Sequence, residues 1–178
     1  MKKINFPLKS DSEIEKLKAG DYVLITGKIL TARDAAHKKL IEILKKEKKI
    51  PLNLKNELIY YTGPSPTPTG KIVGSIGPTT SERMDNLTIP LFKLGLKGTM
   101  GKGERGEKIV KGCKNFKAVY FITYGGCGAY LNQFVKGIKL LMFEELGPEA
   151  IYQLEVYEFP AIVGIDIYGN NFFKFRKV

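Results

Sequence analysis

The feature that most constrains the fold is an alternation. Short apolar runs with β character are followed in turn by helix-patterned segments, and the turns between them are rich in glycine or polar residues. Residues 22–29, YVLITGKI, alternate as a half-buried strand does. They lead into LTARDAAHKKLIEILKKEKK, where Ala35, Ala36, Leu40, Ile41 and Leu44 keep helical spacing and Thr31 or Asp34 can cap the N-terminus. Residues 58–62, LIYYT, form a short apolar strand, and 117–124, KAVYFITY, form a strong strand expected near the sheet centre. Residues 104–114 pattern as an amphipathic helix, and a short helix over 130–135 leads to 138–143. From residue 149 onward the chain reads as a meander: AIYQLEVYEF, a break at Pro160, AIVGIDIY, a Gly169-Asn170 turn, and NFFKF. The first 20 residues read as a lead-in, with Pro7 before a short polar helix at 10–19. The whole predicts one α/β domain over residues 1–178, with a mixed sheet and flanking helices. Ligands of such domains bind outside the carboxyl ends of strands.

Chemistry-bearing residues fall at those strand ends. The stretch KIVGSIGPTTSERMD, 71–85, has an apolar run (Ile72, Val73, Ile76) that predicts a strand, a break at Gly77-Pro78, two hydroxyls, Thr79 and Thr80, and then a helical pattern with Arg83. A strand–turn–helix of this kind sets Thr79 beside free backbone N–H groups and the positive end of a helix dipole. Arg83 follows by about one turn, so the two can share a pocket for an anion. The plainer reading is an N-capped helix after a βα loop; that helix is expected to break near Thr88-Ile89-Pro90. Arg33 stands at the turn into the HKK helix, where a cation opposes the dipole and stability alone would not choose it. Asp34 beside it offsets that cost, and His37, four positions on, can share its face, more as a hydrogen-bonded structural group than as a catalyst. The Pro-rich GPSPTPTG at 63–70 suits a rigid binding loop better than a floppy linker. LGLKGTMGKGERG at 94–106 is either a lysine, Lys102, held between glycines over an anion, or a plain turn; it lacks the phosphate-loop pattern. Cys127, in the glycine cluster GGCGAY, is better explained by small-residue packing than by an activated thiol. Cations and a hydroxyl on one sheet edge suit a small dicarboxylate.

Composition sets the outer limits. The formal net charge is +11, with 29 Lys and Arg against 18 Asp and Glu. That invites an anionic substrate or nucleic acid, but much of it lies in one lysine-rich helix, as on a solvated face. A nucleic-acid module would interleave aromatics with basic residues, whereas here they fall in apolar runs such as YFITY. Two cysteines, Cys113 and Cys127, are too few for a zinc motif or a disulfide framework. MKKINFPLKS lacks the apolar core of a signal peptide and no run is long enough to span a membrane, so the cytoplasm is the expected location.

Several blocks together resemble a known family. TARDAAHKK (31–39), YYTGPSPTPTGKIVGSIGPTTSERMD (60–85), GKG (101–103), YGGCGA (124–129) and FEELGPEAIYQLEVYEFPAIVGIDIYGNNFF (143–173) resemble, in order, the β subunit or C-terminal domain of the class I iron–sulfur hydro-lyases, fumarate hydratase and L(+)-tartrate dehydratase. The resemblance implies a swivelling β/β/α domain and reversible dehydration of a 2-hydroxy-dicarboxylate, L-malate to fumarate, with tartrate to oxaloacetate as the alternative. It implies Thr79 as the catalytic base, Arg33, Arg83 and Lys102 as substrate binders, and Asp34 and His37 as residues ordering Arg33. It also implies a [4Fe–4S] cluster on a partner α subunit, no metal held by this chain, and an α2β2 assembly.

Overall fold

The structure, a computed structural model, describes residues 1–175. Five strands close on themselves. The order is β2 (Tyr22–Thr31), β3 (Leu58–Tyr60), β4 (Gly98–Gly101), β5 (Val119–Ile122) and β7 (Ile151–Ile165), with β7 pairing back onto β2. Strands β2 to β5 run parallel, and β7 is antiparallel to both of its barrel neighbours. β1 (Lys2–Phe6) extends β2 on one edge, and β6 (Val135–Met142) extends β7.

Both faces of the short central strands are buried. Leu58, Tyr60, Met100, Val119 and Phe121 point to an interior cluster with Ile25, Ile29, Leu154 and Phe159. The alternate residues Ile59, Tyr61 and Tyr120 pack outward against α2 (Asp34–Glu47), α3 (Asp85–Lys93) and α4 (Glu107–Phe116). Period-two alternation with both faces apolar is the mark of a strand covered on each side. The remaining helices are short: α1 (Ser12–Glu15), α5 (Gly128–Leu131) and α6 (Phe172–Phe175). Among the described residues no helix is long and apolar enough to cross a membrane.

The structure corrects several local expectations. Residues 71–79 form no strand; they run as an irregular loop that drops Val73 and Ile76 into the interior cluster and leaves Ile72 exposed. Tyr60 Oη donates to the Ile76 carbonyl and Thr62 Oγ1 to that of Gly77, so tertiary bonds replace ladder bonds. Conversely, part of the glycine-rich 94–106 segment is strand β4. A Cβ on Gly101 would lie 2.1 Å from Ser81 Oγ, so the glycine admits close packing rather than making a loop. The lead-in contains strand β1, whose Ile4 and Phe6 face the core. α3 passes through Pro90 without a break, and NFFKF becomes the short helix α6.

Pro160 does not interrupt β7. Val156 and Phe159 face Gly27 and Ile25, so β7 carries one extra residue there, and Glu158 takes a left-handed φ of 52°. This bulge keeps Leu154, Val156, Phe159 and Ala161 all on the inner face. Opposite it, Gly27 has φ 112°, and a Cβ there would meet the Phe6 carbonyl oxygen at 2.1 Å.

Candidate active site

Because β2, β3, β4 and β5 are parallel, the segments that leave them emerge at one edge. Arg33 follows β2, Gly63 follows β3, Lys102 follows β4 and Gly125 follows β5. The loop bearing Thr79 is tied to the same edge. Thr79 N–H donates to the Tyr61 carbonyl at 2.8 Å, Lys102 N–H to the Thr79 carbonyl at 3.2 Å, and Ser81 N–H to the Lys102 carbonyl at 3.0 Å. Thr80 and Lys102 thereby form an isolated parallel bridge. Sites expected from sequence positions up to 69 residues apart (33 to 102) thus share one rim. Arg33 and Lys102 also touch its glycines: a Cβ on Gly63 would lie 3.4 Å from Arg33 Cδ, and one on Gly125 would lie 3.2 Å from Lys102 Cδ.

Asp34 organises the arginines. Arg83, on the 3-10 turn Ser81–Met84, grips it with a fork, Nε to Oδ1 at 2.9 Å and Nη2 to Oδ2 at 3.0 Å. Arg33 Nε reaches the same Oδ2 at 3.3 Å and lies 3.5 Å from Glu149 Oε1. The Arg83 bonds hold the Asp34 carboxyl down to about 2, against the partial desolvation that raises it. Both arginines are held through Nε. Arg33's two terminal nitrogens, and Lys102 Nζ, have no protein partner among the described residues.

The N-terminus of α2 is not capped as expected. Its N-cap is Arg33, with no side-chain cap bond, and Thr31 Oγ1 instead accepts from Tyr152 N–H. Glu149 does the work: its Oε2 accepts the Ala35 N–H at 2.8 Å. An acid here offsets both the helix dipole and the Arg33 charge. His37 is wholly buried, edge-on to Tyr61, and its Nδ1 lies 3.0 Å from the Arg33 carbonyl. A carbonyl only accepts, so Nδ1 carries the hydrogen. Nε2 has no partner among the described residues, and burial brings the imidazole down to about 4. His37 is a neutral structural group that holds the Arg33 backbone.

Thr79 Oγ1 is buried and makes no hydrogen bond among the described residues. An unmet buried hydroxyl costs about 1–3 kcal/mol. Among the described residues, three surface clefts of about 230–280 Å³ lie elsewhere, and none of these three is lined by Arg33, Thr79, Arg83 or Lys102. The rim is open to solvent at its arginines: the side chains of Arg33 and Arg83 are 29% and 47% exposed.

Sequence reasoning assigned no role to Glu149, Arg105 or Asp85. Arg105 is a fully buried cation with its Nε 2.5 Å from Asp85 Oδ1. In the sequence Arg105 falls where the glycine-rich 94–106 segment overlaps the helix pattern of 104–114, and neither pattern marks it as buried.

The chain's residues do not fit an iron–sulfur cluster. Such clusters take several thiolates. Cys113 is buried with its thiol pushed up to about 12 by burial, Cys127 is exposed in the GGCGA turn, and the described residues gather no set of three His, Cys, Asp or Glu ligands.

A family model described as the fumarase C-terminus matches residues 1–176. The chain is 40% identical over 168 residues to a Methanocaldococcus jannaschii protein provisionally named L(+)-tartrate dehydratase subunit beta, covering 91% of this chain and 86% of that one. It is 36% identical over 177 residues to the L(+)-tartrate dehydratase subunit beta of Escherichia coli, covering 96% and 86%. It is also 36% identical over 176 residues to the anaerobic class I fumarate hydratase of Escherichia coli, covering 96% of this chain but 32% of that longer protein. With its closed strands, its rim of cations and a match over nearly its whole length, the chain belongs to the fumarase C-terminus family.

Proposed function

We propose that this chain is the β-type half of a hydro-lyase that reversibly dehydrates L-malate to fumarate. The observation that carries the reading is Thr79: a buried hydroxyl without a partner among the described residues, backbone-bonded to Lys102 at the rim where Arg33 and Arg83 also stand. Relatives that bear the names fumarate hydratase and tartrate dehydratase support the class.

In this reading Arg33, Arg83 and Lys102 receive the two carboxylates. The arginines offer flat donor arrays and Lys102 a point charge. Asp34 fixes Arg33 through Nε and Arg83 through Nε and Nη2, and leaves both terminal nitrogens of Arg33 and Nη1 of Arg83 for substrate. Thr79 Oγ1 takes the proton from the carbon next to one carboxylate, and the electron pair moves into that carboxylate. The doubly charged form that results is stabilised by the same cations. A threonine hydroxyl serves as a base only as an alkoxide, which nearby cations and exclusion of water favour. Loss of the hydroxyl from the neighbouring carbon belongs to the other half of the site. We assign that half, and the [4Fe–4S] cluster, to an α partner, in an assembly of two of each chain in the cytoplasm. The open rim supports this division, and the isolated chain is expected to bind substrate weakly.

A second reading, L(+)-tartrate dehydration to oxaloacetate, is favoured by the two relatives of similar length, both named as tartrate dehydratase β subunits. The two substrates differ by one hydroxyl. Anaerobic reconstitution with the α partner, following fumarate from L-malate and oxaloacetate from L(+)-tartrate, separates them. Malate turnover that Thr79→Val lowers by about 1,000-fold or more supports the first reading. Turnover of tartrate alone moves the assignment to the second. Turnover of neither, by an intact complex, refutes both.

A further inference from the structure

The largest unexplained feature behind the rim is the buried Arg105–Asp85 pair. The Arg105 side chain has no solvent exposure and that of Asp85 has 14%. A buried ion pair is weak evidence for stability, because removing two charges from water offsets their attraction. Its contacts suggest what else it does. Beyond Asp85, Arg105 Nη2 donates to Thr88 Oγ1 at 3.1 Å and Nη1 to Tyr61 Oη at 3.4 Å. The guanidinium lies 5.3 Å from the centre of the Tyr61 ring and 5.0 Å from that of Tyr120.

Each neighbour reaches a rim residue. Tyr61 accepts the Thr79 N–H on its carbonyl and packs edge-on against His37, which holds the Arg33 carbonyl. Tyr120 Oη lies 3.0 Å from Ser81 Oγ and 2.8 Å from the Gly103 carbonyl, so it contacts the chain on both sides of the Thr80–Lys102 bridge. Asp85 Oδ2 accepts the Gly106 N–H at 2.7 Å, which ties the segment after Arg83 to the one after Lys102. Residues 71–79 before the bridge and 104–106 after it are irregular, and a single isolated bridge, Thr80 to Lys102, joins the two segments there.

We propose that Arg105 is a positioning residue, whose buried guanidinium, held by Asp85, sets Thr79 against Lys102 at the rim. It touches no substrate. The planar fork matters because three separate nitrogens, Nε, Nη2 and Nη1, reach Asp85, Thr88 and Tyr61, whereas a lysine brings its donors from a single atom. This deepens the hydro-lyase reading, and its kinetic arm rests on that reading; its exchange arm does not.

The test uses the full chain and the reconstituted complex, with Arg105→Lys and the neutral pair Arg105→Met/Asp85→Asn, which keeps an acceptor for the Gly106 N–H. Amide hydrogen exchange on the chain alone is expected to speed by about tenfold or more at Thr79 and Lys102, while the amides of Val119–Ile122 stay within about twofold. In the complex kcat is expected to fall about 100-fold with KM within about threefold, since misplacement of a reacting group by about 1 Å has that effect. Arg105→Lys should show the same pattern more weakly. Unchanged exchange at Thr79 and Lys102 in Arg105→Lys overturns the proposal, and so does a neutral pair with wild-type kcat. If the wild-type complex turns over neither substrate, the reaction assignment fails, and the exchange result still decides the role of Arg105.

Discussion

Replacing His37 by phenylalanine should abolish a loss of stability on mild acidification. His37 is the chain's sole histidine, wholly buried, with Nδ1–H committed to the Arg33 carbonyl and nothing to meet a proton on Nε2. Burial, aided by the Arg105 charge and opposed by the Arg33 carbonyl, lowers the imidazole from 6.5 to about 4. The folded value lies below the unfolded one. The stability is therefore intact above about pH 6.5 and is lost as the pH falls toward 4. At about 1.4 kcal/mol per pH decade the full loss is about 3 kcal/mol. Glu57 opposes it in the same window. Burial raises that carboxyl from 4.5 to about 7, and one of its oxygens has no partner. Its burial is free below about pH 4.5 and costs stability as the pH rises through 7. Because the carboxyl is only half-buried, solvent screening reduces the same arithmetic to about 1 kcal/mol. Urea unfolding of wild type, His37→Phe and Glu57→Gln, from about pH 4 to 7.5, resolves the two contributions. Subtracting curves cancels the other carboxylates. Glu57→Gln should gain about 3 kcal/mol between about pH 4 and 6.5. In His37→Phe stability should fall by about 1 kcal/mol from about pH 4.5 to 7. Identical pH slopes for wild type and His37→Phe would refute the reasoning.

Three further outcomes are expected. Asp34→Asn should cost about 1 kcal/mol near pH 7, after screening of the half-exposed Arg83, and only a small fraction of that near pH 2. The carboxyl sits at about 2 against an ordinary 3.8, so its contribution is present above about pH 4 and disappears as the pH falls through 2; urea unfolding at both ends checks it. Gly27→Ala should destabilise by about 3 kcal/mol or more in the same assay, because its φ is 112° and a Cβ would strike the Phe6 carbonyl. Thr79→Val should leave thermal stability unchanged or raise it by about 1 kcal/mol, since the hydroxyl has no bond to lose; a clear loss would mean that the hydroxyl has a structural partner.

The candidate site was legible because its chemistry breaks local rules. Arg33 stands at a helix start where a cation is unfavourable, and Thr79 and Lys102 follow glycine or proline at the ends of apolar runs. What holds these residues was not legible. Asp34 meets Arg83 across 49 positions, Glu149 meets Ala35 across 114, and Arg105 meets Asp85 across 20. No periodicity records such pairs. The errors in the fold have similar causes. GTMG lacks the side chains that mark a strand, since Ser81 fills the space at Gly101. In 71–79 the apolar positions predict a strand, yet Val73 and Ile76 enter the core from a loop whose bonds go to Tyr60 and Thr62.

By itself the sequence determined the alternation of strands and helices, the residues buried along β2, β3 and β5, and the candidate cations Arg33 and Lys102 just past the ends of β2 and β4. Those follow from period-two and helical patterning and from turn chemistry, which are local. Only the tertiary structure decided that the sheet closes through β7 on β2, that a bulge at Glu158 carries β7 past Pro160, and that Arg105 lies beneath the rim. These depend on register, closure and the pairing of buried charge. Their energy is shared between residues far apart in the chain, so it leaves no mark on either segment alone.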